Sequence, residues 1–539
     1  MTADSISTTV DTVPPGSPVV PRSGRARHRK TRQTLGGPVA LSWGVVVLGS
    51  LLRIRQFLFN RSIWNDEAEF AIAVLNRGYI ALAHPDPLDT APLGFNWIEK
   101  LATELFGSSE RAFRTVPLLC ALVGLVAFRF LANRVLPAWP SLVALVIFSL
   151  SPSLIYYSAE TKPYAFDVTA VILLFLLFLR LDGTEVSWRQ AFGWGLALAV
   201  LDWFSFTALF AACAASVLLV VGARDRETRI RVVAGSAVWV VSLVAEYLIT
   251  FRPLHESSIL VNDWVGGYPP KSLGIVNGVH WLWSTTLSLI ADPLNLDYGV
   301  LALLLILFGL VLLVRRFPAA GLFCVSVIVL TALSGLARAY PVTGRLDLFL
   351  VPIVSLSLGS VLTVPIHGIS RWIVAGLTLL VCVSLLSQTV AAAVYPYTKN
   401  EGREALTYAL AHEGRDGAVL VEASGTNVYA YYHQTTGLTA TAEIWLFPGD
   451  KVCDPYLQTE WLKPYRSFWI VFIGAPGTPA VLDSFLRALK GTIKDTRVVT
   501  FPGAWAVHAR LSNFYGQPVP EPTGRQYVCI NKYILPKAP

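Results

Sequence analysis

Apolar residues in this chain gather into long blocks separated by short polar breaks. A helix that crosses a bilayer needs about 20 predominantly apolar residues. On that criterion the blocks predict spans near 38–58, 115–132, 141–157, 164–181, 190–204, 206–222, 232–251, 298–314, 319–337, 346–364 and 372–394. The fifth and sixth form one apolar run interrupted only by Asp202-Trp203-Phe204-Ser205, which reads as a tight turn. After residue 395 the pattern changes. Ala405, Leu406, Ala409 and Leu410 follow a helical period, as do Val481, Leu482, Phe485, Leu486 and Leu489. Ala418–Val421, Phe468–Ile473 and Val498–Phe501 read as strands. This alternation predicts a small α/β domain over residues 396–539. Residues 1–36 carry no apolar period and are rich in Ser, Thr, Pro and Arg, so they read as a disordered tail. No repeat of fixed period is present.

Composition places the chain in one class. It is 54% hydrophobic and only 14% charged, whereas soluble domains carry roughly 25% charged residues. The expected fold is a polytopic α-helical membrane protein of eleven spans with a C-terminal α/β domain. The net charge of +8 does not point to nucleic acid, because the basic residues sit in short clusters between apolar blocks. Arg22, Arg25, Arg27, Arg29, Lys30 and Arg32 precede the first block, which makes the tail basic. Arg134, Arg180 with Arg189, Arg224 to Arg231, Arg315/Arg316 and Arg371 fall in alternate short loops. Basic loops stay in the cytoplasm. The tail is then cytoplasmic, and the outside holds residues 59–114, 252–297 and 396–539. The expected location is the cell membrane, with the C-terminus extracytoplasmic. Trp264, Trp281 and Trp283 in the second outside loop suit interfacial helices. Cys120, Cys213, Cys324 and Cys382 lie inside apolar blocks, whereas Cys453 and Cys529 lie in the outside domain, where a disulfide is permitted and expected.

Three polar clusters could hold chemistry. The first is Trp64-Asn65-Asp66-Glu67-Ala68-Glu69-Phe70. Asp66 followed three residues later by Glu69 resembles a capping box; an acidic pair just outside the first span also suits a general base. The second is the hairpin Tyr156 to Tyr164, with Glu160 and Lys162 either a solvated turn or site groups, and its tyrosines either an interfacial belt or pocket walls. The third, Arg338 to Leu346, puts two arginines outside, against the charge rule. An outward Arg can grip phosphate bidentately or snorkel to lipid headgroups. Asp202 and Glu246, at or inside apolar blocks, leave an ion pathway open. Walker A, Rossmann-type glycine, His-x-x-x-His and Cys-x-x-Cys patterns are all missing from the sequence.

At these residues the chain resembles the GT-C glycosyltransferases, specifically bacterial relatives of protein O-mannosyltransferases and aminoarabinose transferases. The matching pieces are Trp64–Glu67, the run Ala91–Lys100 with Leu105-Phe106-Gly107 and Arg111–Pro117, the Tyr156–Tyr164 hairpin, and Tyr340–Leu350 with its Gly344-Arg345-Leu346. The resemblance covers most of residues 40–395. It implies a transmembrane glycosyltransferase domain over 37–395 with its active site at the outer leaflet and a sugar donor on polyprenyl phosphate. The acceptor would be an extracytoplasmic glycan, lipid or protein. By position it implies Asp66 as base, Glu67 as a supporting or acceptor-contacting residue, Glu160 where relatives place a second acidic or polar group, Lys162 and Arg345 as phosphate contacts, and Tyr157 and Tyr164 as pocket walls. Relatives differ over a divalent metal such as Mg or Mn, and they usually show Arg where this chain has Lys162. The other class open to such a chain is a transporter or lipid flippase, which would want charges inside several spans. Here the charges concentrate in outside loops.

Overall fold

The computed structural model describes residues 37–84, 91–252, 264–270, 274–364, 369–422, 425–444, 465–474, 493–511 and 530–531. The tail over 1–36, the helical period at Val481–Leu489 and the expected Cys453–Cys529 bond lie outside the described residues.

Every predicted span is helical. The helices are Pro38–Phe59, Glu110–Val135, Ala138–Ser149 with Pro152–Tyr157, Tyr164–Leu181, Trp188–Asp202, Ala208–Gly222, Arg226–Glu246, Gly299–Arg316, Pro318–Leu336, Gly344–Leu350 running into Val351–Val361, and Ile369–Val381 with Val383–Val394. Among the described residues seven helices are long and apolar enough to cross a bilayer, and eight if the last pair, bent by 49°, counts as one span. The protein is a multi-span membrane protein. The third block breaks at Ser151-Pro152 for a chemical reason. Proline lacks the N–H that would continue the helix, and the Ser151 hydroxyl accepts the Leu154 N–H at 3.3 Å to start a new one. Helices Trp188–Asp202 and Arg226–Glu246 approach closely through glycines: a Cβ on Gly195 would lie 2.1 Å from the Gly235 carbonyl oxygen. Small residues of this kind let backbones meet inside a membrane. Asp202 ends its helix, where it accepts the Trp239 indole N–H at 3.0 Å.

The loops over 59–114 and 252–297 meet at one end of the bundle. The first contributes helices Asn65–Asn76, Tyr79–Leu82 and Leu93–Phe106. The last of these is tied to the Asp202 turn, since Gly94 N–H donates to the Trp203 carbonyl at 2.8 Å. The second contributes Ile275–Ala291, which carries Trp281 and Trp283, and a turn at Val265–Gly267 whose Gly267 carbonyl accepts Val342 N–H at 2.9 Å.

The C-terminal region is the expected α/β unit. Strands β1 (Gly417–Glu422), β2 (Ala442–Ile444), β3 (Ser467–Ile473), β4 (Ile493–Phe501), β5 (Ala504–Leu511) and β6 (Ile530–Asn531) form one sheet in the order β4-β5-β3-β1-β2-β6. β1 pairs in parallel with β2 and β3, while β5 runs antiparallel to β3 and β4. Almost every residue of β1 and β3 is buried, as strands covered on both faces require. The domain docks on the first loop. Ile63, Phe70 and Phe113 share one core with Leu406, Tyr431 and Tyr432. Arg403 donates to Glu110 at 2.5 Å and to the Asn60 carbonyl at 3.0 Å. The domain therefore sits at the same end as residues 59–114.

Candidate active site

The acidic pair begins a helix, but not as a capping box. The helix starts at Asn65 with Trp64 as its N-cap, and no side chain caps it. Asp66 and Glu67 both fall in the first turn, so the Asp66–Glu69 capping reading is corrected: Asp66 lies inside the helix rather than before it, and its carboxylate is engaged elsewhere. Adjacent helical residues point about 100° apart, and these two go to opposite environments.

Glu67 is completely buried. Its carboxylate accepts Arg114 Nε at 3.1 Å and Nη2 at 2.7 Å, and the Thr161 N–H at 2.8 Å. Arg61 lies 3.8 Å away. Burial alone would raise this carboxyl, but Arg114 and Arg61 together hold it well below the usual carboxylate range. Glu67 thus fastens the Glu160 hairpin to the first loop.

Glu160 is equally buried. It accepts Arg61 Nη2 at 3.0 Å and Lys399 Nζ at 3.2 Å. Arg61 stacks 4.0 Å over the Tyr156 ring. The Lys399 ammonium sits 3.7 Å over Trp64 and 5.2 Å from both Tyr156 and Tyr157. Burial lowers the Lys399 pKa, and Glu160 offsets part of that effect.

Asp66 is different. A third of its side chain is exposed, and it forms an ion pair with Arg345. Arg345 opens the turn Gly344–Leu350, where Gly344 adopts a left-handed φ of 45° that few other residues accept. Its guanidinium lies among three rings: Trp64 at 4.8 Å, Trp264 at 5.3 Å and Tyr164 at 5.9 Å. Tyr164 packs edge-on against Tyr157 at 5.1 Å. The Arg345 Nε and Trp64 Nε1 donors are buried with no partner among the described residues, which is costly unless something accepts them. Of the predicted residues, Asp66, Glu160, Tyr157, Tyr164 and Arg345 converge here. Glu67 anchors them from beneath. Lys162 joins none of these ion pairs, and its ammonium sits 5.6 Å over the Phe70 ring. Arg338 packs on the second loop instead, where it stacks on Tyr268 at 5.3 Å and donates to the Pro269 carbonyl.

The sequence reading missed Arg61, Lys399 and the ring of Trp64. In the topology expected from the sequence both cations break the positive-inside rule, the same anomaly that singled out Arg345. A divalent metal does not suit this donor set. Asp66 is taken by Arg345, and Glu160 by Arg61 and Lys399, so a metal would have to displace three cations. Among the described residues no three His, Cys, Asp or Glu side chains converge as ligands.

Residues 90–249 match the Dolichyl-phosphate-mannose-protein mannosyltransferase family. No curated protein sequence matches the chain. Among solved structures it is similar to ArnT from Cupriavidus metallidurans in the apo state, at 14% identity and a TM-score of 0.51 over 87% of this chain and 98% of that one. It is also similar to the same protein bound to undecaprenyl phosphate, at 13% identity and a TM-score of 0.52 over 89% and 99%. The resemblance read from the sequence is borne out, and the fold is that of ArnT.

Proposed function

We propose that this chain is a membrane glycosyltransferase that moves a sugar from a polyprenyl-phosphate donor to an extracytoplasmic acceptor, which is a cell-envelope glycan, a glycolipid or a protein. The observation that carries the reading is the Asp66–Arg345 pair inside its aromatic cage. One half-open site holds a carboxylate that can take a proton, a planar cation suited to phosphate, and buried donors that lack an acceptor. The family match and the ArnT fold support this donor class, since one ArnT structure holds undecaprenyl phosphate.

The chemistry follows from the donor. Its sugar already carries a good leaving group, so no acid need protonate it. The acceptor hydroxyl attacks the anomeric carbon and its proton passes to Asp66. The bond from that carbon to the phosphate oxygen breaks, and the charge left on the lipid phosphate falls to Arg345, whose fork matches two phosphate oxygens. Arg345 cannot hold the phosphate and Asp66 equally well. Donor binding therefore exchanges one anion for another on the guanidinium and leaves Asp66 free for the acceptor. Tyr157 and Tyr164 wall the site and exclude water. Glu67 and Glu160, buried and paired, position the cations and the hairpin.

The test is a membrane preparation of the full chain given a panel of polyprenyl-phosphate sugars, with release of polyprenyl phosphate as the readout. Release from at least one donor, lost in Asp66→Asn, is expected. A chain that releases none, yet moves lipid or solute across a vesicle, is a transporter and overturns the proposal.

A further inference from the structure

We infer that Lys399 is a second cation of the donor-phosphate site, and that the C-terminal domain is docked where it is in order to deliver it. The inference rests on the lipid-phosphate reading above.

Lys399 belongs to the segment between the last membrane helix, Val383–Val394, and the first helix of the α/β unit, Gly402–Ala411. Its ammonium shares one indole with the proposed phosphate residue: Lys399 lies 3.7 Å and Arg345 4.8 Å from the centre of the Trp64 ring. Burying a lysine is unfavourable unless it is paired, and its protein partner, Glu160, already has Arg61 at 3.0 Å. Glu67 is matched by Arg114. Around Trp64, then, three cations (Arg61, Arg345 and Lys399) share two ion-paired carboxylates (Asp66 and Glu160), while Asp292 lies against Gly344 beside them. Two of the cations crowd onto Glu160, so one of them can turn to an incoming phosphate in this aromatic site.

The α/β unit holds this lysine by its backbone. Gly503, in the turn between β4 and β5, has a φ of +61°, and a Cβ there would lie 2.0 Å from the Lys399 carbonyl oxygen. Gly474, at the end of β3, has a φ of +72°, and a Cβ there would lie 2.8 Å from the Asn400 side chain. Glu401 N–H donates to the Pro502 carbonyl at 2.8 Å. Two side-chain-free turns thus grip residues 399–401. The same unit is fixed to the first loop by Arg403 on Glu110, Glu404 on Ser62 and Tyr432 on Glu110. A soluble domain that served only as an appendage would not need to thread a lysine under Trp64.

The experiment uses the full chain in nanodiscs and undecaprenyl phosphate as the probe. Binding is followed by quenching of tryptophan fluorescence, and folding by thermal denaturation. Lys399→Gln should weaken binding by about 10- to 100-fold, the worth of a charged hydrogen bond, and should flatten its salt dependence. Arg61 still neutralises Glu160, so the melting temperature should hold. Lys399→Arg should bind close to wild type. Gly503→Ala keeps the ammonium but displaces it, and should weaken binding without touching the site; it decides the matter if Lys399→Gln fails to fold. Wild-type affinity in folded Lys399→Gln or Gly503→Ala would overturn the inference and leave Lys399 a counter-ion of Glu160. If the wild-type chain itself binds no undecaprenyl phosphate, the lipid-phosphate reading falls, and this inference with it.

Discussion

Asp66→Asn removes the proposed base with little harm to the fold, and the structure allows both effects to be sized. Trp64 precedes the helix, so the change deletes no cap. It removes a favourable charge from the first helical turn, worth about 0.3–1 kcal/mol. It also removes an ion pair that is a third exposed on the Asp66 side, which after solvent screening is worth about 0–1 kcal/mol. The amide oxygen can still accept from Arg345. A total below about 2 kcal/mol is small against the 5–15 kcal/mol that holds a typical domain. The variant should therefore fold and lose only a few degrees of melting temperature. Turnover should fall by about 10²- to 10⁴-fold, the usual cost of a lost general base, or about 3–5 kcal/mol of barrier. Binding of lipid phosphate should hold or tighten, because the anion that competes for Arg345 has lost its charge. Purified protein at saturating donor gives turnover from released polyprenyl phosphate, and equilibrium binding gives the affinity. Folded Asp66→Asn with near-normal turnover refutes the base. A drop in affinity that matches the drop in turnover refutes it too, because Asp66 would then be a binding residue.

Glu67→Gln should instead unfold the site. It leaves Arg114 buried against a neutral group, which costs about 3–5 kcal/mol, so the melting temperature should drop sharply; a stable variant would contradict the anchoring role. The folded Glu67 carboxyl lies below its unfolded value, so its stabilisation is full above the ordinary carboxylate range and drains away as pH falls below about 4. Wild type should then lose stability in that window more steeply than Glu67→Gln, and parallel curves would count against the pairing. Arg345→Lys should already weaken binding of undecaprenyl phosphate, since a point charge replaces a planar fork; unchanged affinity in Arg345→Ala would reduce it to a partner of Asp66. A reporter active only outside the cytoplasm, fused after residue 400, should be active, and activity of a cytoplasmic reporter there would reverse the topology.

The spans were legible because membrane helices leave a one-dimensional signal, a run of apolar residues about as long as the bilayer is thick. Even the break at Ser151-Pro152 and the bend at Cys382 fall inside predicted blocks. In the α/β domain β1 and β3 stood out as apolar runs, whereas β5 (Ala504–Leu511) carries Trp505, His508 and Arg510 and did not. At the site, sequence position revealed Asp66, Glu160 and Arg345 but not their partners. Lys399 is 239 residues from Glu160, and only the docking of the C-terminal domain brings them together. The capping reading failed because local spacing cannot reveal that Arg345, 279 residues away, takes the carboxylate. Lys162 was placed at the phosphate by the family resemblance, and its contact with Phe70 was invisible in the sequence.

The assignment of the base finally rests on what each carboxylate is free to do. Glu67 accepts three donated hydrogens and has no exposed surface, so no acceptor can reach it. Glu160 is equally enclosed, between Arg61 and Lys399. Asp66 has one cationic partner, and that partner is the residue best shaped to release it for a phosphate. Of the three, Asp66 alone has both a surface open to an acceptor and a route by which donor binding sets it free. Under the proposed mechanism the site ties base release to donor occupancy, so an acceptor hydroxyl that arrives before the donor meets an aspartate still engaged by Arg345.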